Sequence, residues 1–304
     1  MRTRRIELPR DCSHRLLRPA RLPVPPRPRK RGNANDTNLI SKVQERALNL
    51  LLFKFMQEIL RGNLEHVKKR IARAAQGSER NIDDITLIAV SKTHPADVLR
   101  EAVGAGANVF GENKVQEAEE KIVELGVESG NENLKWHLIG NLQSNKARKA
   151  VKLFDVIHTL DSHELAVRLE RICNEEGKKS LEVLAQVDLA NEATKKGISE
   201  KDLPQLVDFL KTCEHLKFNG LMIIPPFFKD FEKARPFFKR LREIRDELLQ
   251  QNAFANKRGE LSMGMSHDFE IAIEEGATLV RVGTAIFGER PSEAYSPKSK
   301  TLQL

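Results

Sequence analysis

The stretch ELSMGMSHDFEIAIEEGATLVRVGTAIFG at residues 260–288 decides the fold, and it reads in three pieces. ELSMGM (260–265) is a short apolar run of strand length, HDFEIAIEEG (267–276) has helical spacing and ends on glycine, and TLVRVG (278–283) is a second β-rich run. Two buried strands joined by a helical crossover run parallel, because the helix returns the chain to the end of the sheet where the first strand began.

Working outward, the same alternation continues upstream. The β-rich runs ITLIAV (85–90), NVFG (108–111), WHLIG (136–140), VIHTL (156–160), LEVLAQVD (181–188) and FNGLMII (218–224) are separated by helical patterns over 96–103, 115–125, 144–151, 163–176, 200–212 and 231–250. Eight βα units in about 230 residues match a closed (β/α)8 TIM barrel in number and size, whereas a doubly wound sheet more often has about five or six strands. Before the first strand, Leu60, Leu64, Val67, Ile71 and Ala74 share one face of an extra N-terminal helix, which puts Lys68, Lys69 and Arg70 partly on its solvated side. The expected organisation is an Arg/Pro-rich leader and linker over 1–55, disordered or outside the true start with Met56 as a candidate initiator, a barrel over 56–290, and a tail over 291–304.

The formal charge of +8 belongs to the leader. Residues 1–35 hold 11 of the 51 Lys and Arg but only 2 of the 43 Asp and Glu, leaving 40 basic and 41 acidic residues in the body. Nucleic-acid binding is therefore not signalled by the body, and the leader, with its PVPPRPRKRG run, lacks the Ser richness and amphipathic helix of an organelle transit peptide. No run approaches the ~18 apolar residues of a membrane span. Cys12, Cys173 and Cys213 are far apart, and no zinc spacing accompanies the 8 His, so no metal site or disulfide framework is signalled and a cytoplasmic protein is expected.

Active sites of such barrels lie at the C-terminal ends of the strands. Lys92 follows ITLIAVS directly, where desolvation would lower its pKa and make it a carbonyl nucleophile; the alternative is a lysine that caps the strand and reaches solvent. Ser266, ahead of the helix in HDFEIAIEEG, and Gly283-Thr284 lie after the seventh and eighth runs, the usual phosphate cradle of this fold, although each alone is more simply a helix cap or a tight turn. Arg281 lies in the last strand, next to the first in a closed barrel, with a structural ion pair or outward solvation as alternatives. A nucleophilic lysine, a phosphate cradle and a cationic donor together describe a pyridoxal phosphate site.

The ordered motifs AVSKTHP, FGENKVQE, WHLIGNLQSNK, Glu192…Lys196-Gly197, GLMIIPP and LSMGMSHDFEIAIEEGATLVRVGTAIFGER closely resemble the pyridoxal-phosphate homeostasis proteins of the YggS/PROSC family over residues 57–290. That resemblance implies a barrel of the alanine racemase N-terminal-domain type in which Lys92 forms a Schiff base with pyridoxal 5'-phosphate. It further implies that Arg281 faces the pyridine nitrogen, that Asn113 lies near the ring, and that Ser262, Ser266, Gly283 and Thr284 serve the phosphate. His137 and Gly140 belong to a matching motif without an assigned role, and Asp188 stands where many members carry Asn.

The resemblance also implies a carrier rather than an enzyme. Racemisation on this fold needs a second acid/base opposite the lysine, usually a tyrosine. The one tyrosine here, Tyr295, lies beyond the barrel, and an arginine at the pyridine nitrogen weakens the ring as an electron sink. The expected role is intracellular homeostasis of the cofactor, as a monomer or weak dimer that serves pyridoxal-phosphate-dependent apoenzymes, with at most weak side activity. The alternative is an amino-acid racemase or decarboxylase. Lys146 and Lys229 are candidate secondary lysines, both more simply surface charges.

Overall fold

The structure, a computed structural model, describes residues 34–129, 133–190 and 196–289. The leader through residue 33 and the tail from 290, with Tyr295, lie outside the described residues, as does Glu192. The chain divides into two units, residues 1–50 and 51–304; in the first, the described part is helical from Ala34, and the second carries the barrel.

Nine strands are described: β1 (Thr86–Val90), β2 (Val109–Glu112), β3 (Lys135–Leu138), β4 (Val156–Leu160), β5 (Leu181–Asp188), β6 (Ile198–Ser199), β7 (Leu216–Met222), β8 (Glu260–Ser262) and β9 (Leu279–Val282). Their order is β4-β3-β2-β1-β9-β8-β7-β5, and pairing of β5 with β4 closes the ring. All pairings are parallel. The eight expected strands are the eight staves of this barrel. The two-residue β6, too short to carry a period, adds to the end of β5 and was not expected.

The helices are α1 (Ala34–Gly77), α2 (Ala96–Gly104), α3 (Val115–Ser129), α4 (Ala147–Leu153), α5 (His163–Glu175), α6 (Leu203–Thr212), α7 (Arg235–Gln250), α8 (Phe269–Glu274) and α9 (Thr284–Phe287). Helix α1 begins upstream of the boundary expected at residue 56 and includes residues 34–55. No glycine or proline interrupts residues 34–61, and the segment is rich in Leu, Ala, Gln, Glu and Lys, which lose little rotamer freedom in a helix. Further along, Leu60, Leu64, Val67, Ile71 and Ala75 are buried, as the helical face requires. Arg70, read as solvated, instead pairs with Glu270 at 2.6 Å and lies 4.4 Å above the Phe269 ring, tying α1 to α8.

Side chains inside the barrel are layered. Ile88, Val109, Val156, Leu184, Met222 and Leu279 form an apolar cluster separate from the large outer core under the helices. Two residues further along their strands, on the same face, come Arg281 and His158, and His137 and Ser262, opposite Val156 and Met222 in register, reach them by hydrogen bonds. The apolar layer thus supports a polar one directly beneath the C-terminal mouth.

Candidate functional site

Lys92 leaves the C-terminal end of β1 in a tight turn, closed by the His94 N–H donating to the Ser91 carbonyl at 3.1 Å. Thr93 sits at φ 69°, a left-handed conformation that costs a β-branched residue free energy. What holds it is a buried network that sequence reading did not identify. The Lys121 ammonium donates to the Ser91 carbonyl (2.8 Å), to Glu112 Oε1 (2.7 Å) and to Glu117 Oε1 (2.6 Å). The Ser91 hydroxyl also donates to Glu112 Oε1 at 2.6 Å, and Glu117 accepts the Thr93 N–H. Burial raises the pKa of the Glu112 carboxyl, against the Lys121 charge and the hydrogen bonds from Lys121 and Ser91 that lower it. Lys92, half-buried, therefore projects from a turn held by three ionised or ionisable groups, Lys121, Glu112 and Glu117.

Arg281 is 4% exposed in β9. Its strand pairs with β1, Ile88 opposite Arg281, so the strand leading to Lys92 and the strand carrying the guanidinium are neighbours, as expected for a closed barrel. The outward-solvated alternative is excluded: Nη1 donates to Ser262 Oγ at 2.6 Å and Nη2 to the Ile223 carbonyl at 2.9 Å. Desolvation lowers the Arg281 pKa to about 10, against the opposing pull of Asp268. Ser262, grouped with the phosphate contacts by resemblance, lies fully buried under Arg281, with its oxygen also 2.8 Å from His158 Nδ1. Its place one residue short of the loop explains this, since the β8 side chain at 262 still points into the barrel.

Ser266 is different. Its oxygen accepts from the backbone N–H of Gly283 at 3.3 Å and of Ala285 at 3.5 Å, both long contacts. Two main-chain donors thus converge where the loops after β8 and β9 meet, the arrangement that receives an anion. Gly264, at φ 89°, permits the loop: a Cβ there would lie 2.6 Å from the Ala272 Cβ. Thr284 is exposed at the start of α9.

Asn113 and Gly140 follow β2 and β3 and touch one another. A Cβ at Gly140 would lie 2.2 Å from the Asn113 carbonyl oxygen, so the glycine admits the Asn113 loop to the rim. The Thr159 hydroxyl donates to the Gly140 carbonyl at 2.8 Å and anchors it from β4. All eight expected site residues thus lie at or just inside the C-terminal rim. Of the secondary lysines, Lys146 is half-buried and Lys229 exposed. Among the described residues no group of side chains could hold a metal ion, and no helix is long and apolar enough to cross a membrane.

Known proteins resemble this chain over the same region. Residues 62–291 match the family described as alanine racemase, N-terminal domain. The pyridoxal phosphate homeostasis protein of Aquifex aeolicus (strain VF5) is 40% identical over 227 residues, 75% of this chain and 96% of that protein. The chain belongs to the pyridoxal phosphate homeostasis protein family. Another member of the family, from Escherichia coli (strain K12), is 40% identical over 243 residues, covering 78% of this chain and 97% of that protein. PipY of Synechococcus elongatus PCC7942, in a structure with PLP bound, is 44% identical with a TM-score of 0.62, over 72% of this chain and all of PipY. Alanine racemase from Corynebacterium glutamicum matches at 14% identity and a TM-score of 0.54, over 79% of this chain and 63% of that enzyme, which shows a shared fold.

Proposed function

We propose that this protein binds pyridoxal 5'-phosphate at the C-terminal mouth of its barrel and holds it in reserve for apoenzymes that need it, without turning over amino acids itself. The observation that carries this reading is the convergence of Gly283 and Ala285 N–H groups on Ser266, on the rim shared with Lys92 and with Arg281 in the neighbouring strand. The donor set fits the group. Main-chain N–H donors and the Ser266 and Thr284 hydroxyls would take the phosphate, Arg281 the ring nitrogen, Asn113 a ring substituent, and the Lys92 amine the aldehyde carbon. When bound, the cofactor supplies an electrophilic carbonyl and a conjugated ring.

The residues of the chain favour holding over reacting. The Arg281 guanidinium is a proton donor that stays charged at neutral pH, since its pKa lies at about 10, so a ring nitrogen facing it receives a hydrogen bond and keeps its lone pair unprotonated. No tyrosine stands in the described residues to act as a second acid. Cys173 and Cys213 do not replace it, because Cys173 on α5 is buried in the outer core and Cys213 at the end of α6 packs against that core. Transfer to apoenzymes in a cytoplasmic setting is part of the same proposal and would serve the homeostasis for which the family is named.

The test is the visible absorbance of the purified protein, then borohydride reduction and peptide mass mapping, before and after a panel of amino acids. A pyridoxyl adduct on Lys92 that amino acids displace slowly, with no α-deuterium exchange, is expected. An unmodified Lys92 overturns the cofactor site, and rapid displacement with α-exchange makes the protein a racemase or decarboxylase.

A further inference from the structure

Beneath Arg281 runs an unbroken line of buried polar groups that the proposed reading leaves unused. Ser262 Oγ lies 2.8 Å from His158 Nδ1, and His158 Nε2 lies 2.8 Å from His137 Nδ1. Ser262 and His158 are 0% exposed and His137 4%. The line crosses the barrel interior from β9 through β8 and β4 to β3. It ends at His137, which lines a cavity of about 830 Å³ together with Lys135, Glu182 and Asn219 from the N-terminal half of the barrel.

The direction of these hydrogen bonds can be worked out. A guanidinium only donates, so Ser262 Oγ accepts from Arg281. Burial holds His137 down to about 3, helped by the Lys135 charge, and holds His158 well below the ordinary imidazole range, helped by His137 and Arg281. Both rings are therefore neutral at pH 7, each with one donor and one acceptor nitrogen. Were His158 to donate to Ser262, the serine proton would be left buried with no acceptor among the described residues, a cost of about 1–3 kcal/mol. The serine instead donates to His158 Nδ1, which puts the His158 proton on Nε2, where it is donated to His137 Nδ1. That leaves the His137 proton on Nε2.

We infer that His158 and His137 are positioning residues for Arg281, acting through Ser262 as a one-way hydrogen-bond relay. By taking the serine proton, the relay leaves the Ser262 oxygen as the acceptor for the guanidinium. With the Ile223 carbonyl it fixes the plane of Arg281 and leaves the remaining N–H donors for the mouth. The tautomer assignment stands on the protein alone; the effect on a bound cofactor rests on the reading proposed above.

The experiment labels the histidines of the full chain with 15N and records long-range 15N–1H correlations at pH 7. Both rings are expected neutral with Nε2 protonated. Protonation on Nδ1 of His158, or an imidazolium at either ring, overturns the relay. A second arm loads wild type, Ser262→Ala, His158→Leu and His158→Gln with pyridoxal 5'-phosphate and reads the absorbance maximum and the release rate, with borohydride trapping as a control. Ser262→Ala and His158→Leu are expected to shift the band and speed release about tenfold, the size of one lost charge-assisted hydrogen bond, with His158→Gln partly restoring both. An unmoved band and release rate in folded Ser262→Ala overturn the inference. Where His158→Leu does not fold, Ser262→Ala and the tautomers decide. If wild type forms no Lys92 adduct, the cofactor reading fails, while the tautomer arm still decides the relay.

Discussion

His137 and His158 each give the folded state a proton deficit, and the sign of its consequence is fixed. Burial depresses both imidazoles, His137 to about 3 from an ordinary 6.5, so below pH 6.5 the unfolded chain binds more protons than the native one. Stability from each ring is present above pH 6.5 and is lost as pH falls toward the depressed value, for His137 about 2 kcal/mol between pH 6.5 and 5. Buried carboxyls with raised pKa, Glu112 and Asp268, run the opposite way, so the useful quantity is a difference. Urea unfolding of wild type and His137→Asn at both pH values is expected to show the variant losing about 2 kcal/mol less over this range. Equal losses would show that His137 titrates normally. Lys121 offers a second residue-scale test. It is the cation held between Glu112 and Glu117, with 6% of its side chain exposed, and Lys121→Ala leaves two carboxylates uncompensated. A loss of about 3–5 kcal/mol is expected by denaturant titration, together with slower trapping at Lys92 as its turn loosens.

At the scale of elements, the barrel was legible because each stave announces itself locally. ITLIAV, VIHTL and LEVLAQVD are apolar runs of strand length bounded by turns, and the structure places β1, β4 and β5 inside them. The rim was legible for the same reason, since Lys92, Asn113 and Gly140 follow within two residues of a strand's end and Ser266 lies in the loop after β8. The supports of the site were not. Ser262 and His158 are 104 residues apart in sequence, and Arg281 and Ile223 are 58 apart, so no local period records that they meet. One signal was available: His158 sits mid-strand on the inward phase shared with Val156, where a polar residue needs a partner. Helix α1 allows a prediction at this scale, because two kinds of contact attach it. Leu64 is 2% exposed in the core, whereas the Arg70–Glu270 pair is about one-third exposed. Leu64→Ala is expected to cost about 2–5 kcal/mol in thermal or denaturant unfolding. Arg70→Ala should cost about 1 kcal/mol, an exposed ion pair with a cation–π contact added. A larger effect from Arg70 than from Leu64 would mean that charge, not burial, attaches the helix.

For the molecule as a whole, the uneven division of charge separates what the body binds from what the leader attracts. Beyond residue 35 the basic and acidic residues number 40 and 41, so the part of the chain containing the barrel has almost no net field with which to draw a polyanion. The leader has 11 basic residues against 2 acidic ones. Attraction of a basic segment to a polyanion is driven by release of condensed counterions and weakens steeply with salt, whereas the proposed cofactor, with its phosphate on main-chain N–H groups and its aldehyde carbon taken by Lys92, would not depend on that term. The two behaviours are therefore expected to separate cleanly. The full chain should be retained on a heparin matrix at low salt and released as salt rises, and a chain lacking residues 1–35 should pass through, while both give the same Lys92 adduct on borohydride reduction. Retention that survives removal of the leader would place a polyanion surface on the body, and loss of the adduct with the leader would tie the cofactor site to residues 1–35.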